Sequence, residues 1–242
     1  MRLAPSEPPF AIRFLREIEE EGLLAGIEWD HEEGPPWRGV ENREELAYIV
    51  PGTLILVRAA CESRKYDAII VLGGLEPGLY AAKEIGAEYG IPVVGTTSSG
   101  IIFAYALGHK YSVIDVLDSM AIAIRQNIMS YGMNEKCASV RSIEMSINEI
   151  RANPSEALEA FVQECINAIE KDGANAIVCA CSYTLFLQPL AQKRLLELGY
   201  DVPVLHGMKC AIELARALVN MKVCQGKTAF PPKIPRKRPV AR

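Results

Sequence analysis

DAIIVLG, from Asp67 to Gly73, and NAIVCAC, from Asn175 to Cys181, read as two copies of one short apolar segment. Each run ends in small residues and leads into a helical pattern, which is the signature of a buried parallel strand delivering its last residue to a crevice. Such strand ends are where open α/β sheets bind ligands and do chemistry. The copies disagree at that position: the second ends in the thiol of Cys181 and the first in Gly73.

The likeness extends outward. Gly73 is followed by a helical stretch and then IPVVG at Ile91 to Gly95, and Cys181 by another and then VPVLHG at Val202 to Gly207. A further helix follows each, from Ser98 or Ser99 to Leu107 and from Gly207 to Asn220, so each half reads β-α-β-α and a duplicated α/β unit accounts for the order. On the N-terminal side, Phe10, Phe14 and Ile18 recur at helical spacing. After the loop EGPPWRGV at Glu33 to Val40, Asn42 and Glu45 are spaced as an N-cap and its reciprocal partner, and Pro51 kinks that helix or starts another. Between the halves, Lys110 to Val116 predicts a strand, Ser119 to Tyr131 a helix and Cys137 to Ile143 a strand; Asn153-Pro154 then starts a helix closed by Gly173. Beyond Gly226, Lys227, Lys233, Arg236, Lys237, Arg238 and Arg242 stand among prolines without an acid, which predicts an extended tail.

At 242 residues the chain is long enough for a substantial core, and its formal charge of −4 gives no sign of a nucleic-acid surface. The basic tail lacks the interleaved aromatics of a single-strand binder. No signal-peptide pattern opens the chain and no apolar run reaches the roughly 18 residues of a membrane span, so a cytoplasmic protein is expected, without membrane partners. Seven cysteines, most inside predicted elements, fit reduced thiols, and Cys179 and Cys181 lack the companions of a zinc site, so no metal is expected. Cys61, Cys137, Cys165, Cys210 and Cys224 read as packing residues, and Cys179 as lying deeper in its strand than Cys181. The glycine spacings of nucleotide cradles and the G-x-S-x-G elbow are missing.

Several residues fall at the ends of the predicted strands. Thr96, Thr97, Ser98 and Ser99 bring hydroxyls and backbone N–H groups to a helix start, a setting for a carboxylate or imide oxygen as well as for an ordinary N-cap. His206 occupies the matching place in the second half, where an imidazole titrating near neutrality can shuttle a proton. Gly74 and Ser182 offer backbone amides across the crevice, and Tyr183 and Thr184 line the same pocket.

YDAIIVLGGLEPGLYAAKEIGAEYGIPVVG and GANAIVCACSYTLFLQPL resemble the two signature regions of the aspartate/glutamate racemase superfamily, nearest to its hydantoin racemase branch. Glu76-Pro77-Gly78-Leu79 matches the D-P-G-L of the first region, and Ala180-Cys181 the small residue and cysteine of the second; Gly73 stands where the first region has its own cysteine. The resemblance implies two pseudo-symmetric α/β domains, each a mostly parallel sheet flanked by helices, with the ligand between them. Residues 1–106 with 210–242 are expected to form one domain and 107–209 the other. It further implies proton transfer without any cofactor at a carbon next to a carboxyl, amide or imide, and a homo-oligomer. Two opposed cysteines normally share that work, one removing a proton while the other supplies one. With Gly73 in place of one of them, Glu76 or His206 becomes the candidate second acid–base beside Cys181. Alternatively the reaction is one-sided, as in arylmalonate decarboxylase, which this chain resembles in setting a glycine opposite a single cysteine. A small-molecule binding protein that has lost the catalytic pair is the third reading.

Overall fold

The computed structural model describes residues 10–32 and 40–232. The expected loop at Glu33 to Val40 and the basic tail therefore fall largely outside the described residues. Helix α1 (Phe10–Glu20) buries Phe14, Leu15 and Ile18. In α2 (Arg43–Ser63) the cap reads as expected with one shift: Asn42 Oδ1 accepts from the Glu45 N–H at 2.9 Å, but Glu45 Oε2 accepts from the N–H of Glu41, at 2.7 Å. Pro51 lies inside α2 and does not end it. This 21-residue helix has, by length and composition, the apolarity of a membrane span, which a search for uninterrupted apolar runs misses because Arg58 and Glu62 interrupt it. It packs on α3 and β1, burying Val57 and Cys61 and leaving Tyr48 and Ile55 exposed.

The repeated segments form the expected strands. β1 (Ile69–Val71), α3 (Leu79–Tyr89), β2 (Val93–Gly95) and α4 (Thr96–Leu107) make the first unit, with β1 and β2 parallel and Val71 opposite Gly95. α4 begins at Thr96, two or three residues earlier than the sequence suggests, because the hydroxyl residues form its first turn. β3 (Tyr111–Asp115), α5 (Asp118–Ser130) and β4 (Cys137–Ser142) follow. The short α6 (Ile147–Ala152) is not apparent from periodicity; a capping box between Ser146 and Glu149 starts it. Asn153 precedes α7 (Pro154–Glu170) but its side chain makes no cap bond, a correction to the expected Asn cap: its N–H closes α6 on the Glu149 carbonyl. β5 (Ala176–Cys179), a 3-10 helix at Ser182–Leu187, α8 (Gln188–Glu197), β6 (Val204–His206) and α9 (Gly207–Asn220) complete the chain.

All strand pairs are parallel, in a two-stranded sheet β1-β2 and a four-stranded sheet ordered β4-β3-β5-β6, with helices packed on both. One core forms around β1 and β2 from Val57, Cys61, Val71, Leu79, Ile85 and Val93, and a larger one gathers β3, β5, Phe14, Phe161 and Ile124. α9 packs against α4, so the chain returns to the first unit after finishing the second. Glutamine amides cover the outer edges of β2 and β6. Gln225 exchanges two hydrogen bonds of 2.9 Å with the backbone of Val93, and Gln192 accepts from the Val204 N–H at 2.7 Å while donating to the Val202 carbonyl at 3.1 Å. These side chains occupy backbone groups that an open edge would offer to another strand. The seven cysteines are unpaired, and Cys224, expected in packing, is exposed because it follows the end of α9.

Candidate active site

The two repeat ends meet. A Cβ placed on Gly74 would lie 3.6 Å from the carbonyl carbon of Ala180, so the turn after β1 rests directly on the turn after β5. Cys181 keeps 8% of its surface accessible, whereas Val178, Cys179 and Ala180 before it keep none, which places Cys181 at the rim of the buried strand. Burial, and after it the charge of Asp115, pushes its thiol well above the ordinary range, while the backbone N–H of Tyr183 favours the thiolate. At neutral pH Cys181 is accordingly a protonated thiol; the Thr184 N–H donates to the Cys181 carbonyl at 3.0 Å, leaving the Tyr183 N–H to favour the anion. Cys179 is different: its sulfur lies 3.2 Å from Thr184 Oγ1 inside the core, and burial pushes it up to about 12. Thr184 is fully buried and also donates to the Cys181 carbonyl at 3.0 Å, so it holds the turn rather than lining an open pocket; Ser182 and Tyr183 are half-buried beside it.

The first wall is built from α4. Thr96 Oγ1 donates to the Gly73 carbonyl at 3.0 Å and Thr97 Oγ1 to that of Gly74 at 2.9 Å. Ser98 donates from both its N–H and its Oγ to Glu76 Oε1, each at 2.8 Å, and Ser99 Oγ donates to the Gly95 carbonyl. All four residues are buried and their hydroxyls bond within the chain, with Thr96 and Thr97 locking α4 to the Gly73–Gly74 turn. Gly73 itself has φ +119°, a conformation that side chains resist, although a Cβ there would meet nothing nearer than Pro77 Cδ at 3.9 Å.

Glu76 is tied to α4 through one carboxylate oxygen while its Oε2 is buried without a hydrogen-bond partner, and His206 is spent as a helix cap. Glu76, 2% exposed and at φ +48°, spends Oε1 on Ser98, lies against Gly95 and has Tyr131 beside its carboxyl, whose pKa burial raises. His206 caps α9, its Nδ1 accepting from the Lys209 N–H at 3.3 Å, and its ring meets Phe14 edge-on with centroids 6.2 Å apart. Burial pushes its pKa down to about 3, so the expected titration near neutrality is lost and the imidazole stays neutral. Two cavities of about 210 and 240 Å³ flank Tyr80 and Tyr131; Glu76 borders the first and Ser98 the second, and Cys181 borders neither. Among the described residues no cluster of His, Cys, Asp and Glu suits a metal ion.

Sequence reasoning missed Asp115. It ends β3, is 3% exposed, and faces the Gly73–Gly74 turn: a Cβ on Gly74 would fall 2.4 Å from Asp115 Oδ2. Its signal was present, since an acid at the end of the fully buried strand Tyr111–Asp115 is a rare placement that burial alone does not reward. Desolvation pushes its carboxyl up to about 6 from 3.8, against the lowering effect of a hydrogen bond from the Val116 N–H. The folded state therefore holds this proton to higher pH than the unfolded chain does. Stability falls as pH rises from 3.8 to about 6, by about 3 kcal/mol. Asp115→Asn is expected to be more stable than wild type at pH 7 and to lose this part of the pH dependence. Urea unfolding at pH 4 and pH 7 checks it, and an equal difference at both pH values counts against this account.

The family described as Asp/Glu/Hydantoin racemase matches residues 25–215, which take in both strand-end turns, Asp115 and His206. The chain belongs to the Asp/Glu/hydantoin racemase family. The hydantoin racemase of Rhizobium meliloti is 29% identical over 181 residues, covering 75% of this chain and 71% of that protein. The crystal structure of allantoin racemase from Pseudomonas fluorescens superposes with a TM-score of 0.83 at 26% identity, over 94% of this chain and 93% of that one. Unliganded arylmalonate decarboxylase, at 17% identity over 75% of this chain and 78% of its own with a TM-score of 0.53, shares the fold. Within that family the hydantoin and allantoin racemases above are what the chain is similar to.

Proposed function

We propose that this protein is a cofactor-independent racemase acting on a carbon acidified by a neighbouring carboxyl, amide or imide, with the Cys181 thiol as proton donor. The observation that carries the reading is the contrast along one strand end: Cys179 and Ala180 are sealed, while Cys181 keeps 8% of its surface accessible, with its thiol protonated and the Tyr183 N–H favouring its anion. A base on the face opposite Cys181 takes the substrate's α-proton, the C–H electron pair moves onto the adjacent carbonyl, and the S–H proton of Cys181 reaches the carbon from the other face, leaving the protonated base and a thiolate, the two forms that serve the reverse direction. The turn Gly73–Gly74, fixed by Thr96 and Thr97, supplies a side-chain-free wall for close approach.

Gly73 favours a second reading, a one-sided decarboxylation in which carbon dioxide leaves and Cys181 protonates the resulting enediolate. Incubation in D₂O with single enantiomers of 5-substituted hydantoins and of allantoin, and with arylmalonates, separates the readings. Racemisation washes deuterium into unreacted chiral substrate, while decarboxylation labels product alone and releases carbon dioxide. Thermal stabilisation by these compounds without exchange or gas release refutes both in favour of binding. Gly73→Cys adds a further check: a Cβ there meets nothing nearer than Pro77 Cδ at 3.9 Å, so interconversion should rise if an opposed thiol is what racemisation lacks, at a cost in stability from the backbone at φ +119°.

A further inference from the structure

Among the described residues one buried side-chain oxygen has no hydrogen-bond partner, Oε2 of Glu76. The residue is 2% exposed, and its other oxygen accepts twice from Ser98 at 2.8 Å. Tyr131 lies beside the carboxyl without supplying a bond to Oε2. Lys83, whose charge also acts on it, forms no ion pair among the described residues: its Nζ lies over the rings of Tyr80 and Phe230, 5.6 and 5.7 Å from their centroids. A carboxylate oxygen held out of water without a donor is costly, and folded proteins rarely leave one so unless a ligand or an ordered water completes it.

Glu76 borders the cavity of about 210 Å³ between α2, α3 and the end of α5. Leu46 and Val50 of α2 give this cavity an apolar side, and the stacked rings of Tyr80 and Tyr131, with centroids 5.4 Å apart, give it an aromatic one. Tyr80 is 45% exposed, so the cavity meets solvent there. Three side-chain donors of the wall are already spent on protein carbonyls: Asn127 Nδ2 on Leu75 at 2.8 Å, Ser130 Oγ on Asn127 at 2.8 Å and the Tyr80 hydroxyl on Ser130 at 3.2 Å. The Glu76 carboxylate and the Asn127 amide oxygen remain as acceptors beside aromatic faces. That combination selects a ligand bringing N–H donors and a positive charge. A cavity of roughly 150 Å³ holds benzene, so this one has room for an ammonium group on a phenyl or short alkyl body.

We propose that this cavity, which Cys181 does not border, is a second binding site for a small primary amine in its ammonium form. The ammonium donates to Glu76 Oε2, the Tyr131 ring turning aside to admit it, and the apolar body lies against Leu46 and Val50. Because Glu76 Oε1 holds the first turn of α4, and that turn fixes the Gly73–Gly74 wall, the cavity and the wall are linked through one side chain.

The test titrates the full chain at pH 7 with benzylammonium and n-propylammonium by isothermal calorimetry, using benzyl alcohol and benzoate as the neutral and anionic counterparts of the first. At least one ammonium ion should bind one to one, and benzylammonium at least about tenfold more tightly than benzyl alcohol or benzoate. Glu76→Gln keeps an acceptor for Ser98 and sets an amide NH₂ in place of the free oxygen, so it should weaken ammonium binding at least about tenfold. Leu46→Trp fills the apolar side without touching the carboxylate and should weaken it as much. Failure of both ammonium ions to bind at up to about 10 mM, a smaller preference over the alcohol, or a smaller loss in either variant that folds overturns the proposal. The comparison of probes on wild type and the Leu46→Trp variant judge it even where Glu76→Gln fails to fold.

Discussion

Cys181→Ser is expected to reduce turnover by about 10³-fold or more while leaving the fold intact. Serine nearly matches cysteine in size, and Cys181 sits at the end of its strand with 8% of its surface accessible, so the cavity cost is small. The chemistry changes far more than the volume. A hydroxyl is a much weaker acid than a thiol, and the Tyr183 N–H that favours a thiolate cannot make an alkoxide accessible near neutral pH. The loss should appear in kcat, with KM nearly unchanged, because the thiol contributes chiefly in the transition state. Cys179→Ser is the matched control: its sulfur contacts Thr184 in the core, so it should keep activity within about tenfold of wild type while losing some stability. Equal activity losses in the two variants would assign Cys181 a packing role.

Gly95→Ala is expected to destabilise the protein by about 3 kcal/mol or more, lowering Tm by about 10 °C, without touching any group proposed to react. An added methyl would lie 2.1 Å from Glu76 Oε1 and 2.5 Å from its carboxyl carbon, an overlap that the buried carboxylate cannot relieve without leaving Ser98. Moving it breaks both 2.8 Å bonds that hold Glu76 to the first turn of α4. That turn carries Thr96 and Thr97, which fix the Gly73–Gly74 wall, so activity should fall with stability. Adding Glu76→Ala should recover part of the loss, since the clash goes with the carboxylate and the two effects are not additive. A thermal shift of less than about 2 °C in Gly95→Ala would show that the carboxylate has other room.

The strands of the repeat were legible because each is a short apolar run bounded by small or turn residues, and the ends of α9 followed from Gly207 and Asn220. The start of α4 was read late because serine and threonine suit a cap as well as a first turn. α6 escaped because six residues give too little periodicity. His206 shows a different limit: its position at a strand end was correct, yet its neutral state depends on burial against Phe14 and on capping α9, neither of which is local.

Sequence alone established a duplicated parallel α/β unit and singled out Cys181 opposite Gly73, because strand periodicity and strand-end composition are properties of neighbouring residues. Only the tertiary structure decided which polar groups are already spent and which remain. Ser98 meets Glu76 across 22 positions of chain, and Asp115 reaches the Gly73–Gly74 turn because β3 pairs with β5, whose end meets the turn after β1. Burial and hydrogen-bond partners, which set proton affinity, are made by contacts between distant segments and so are absent from any local pattern.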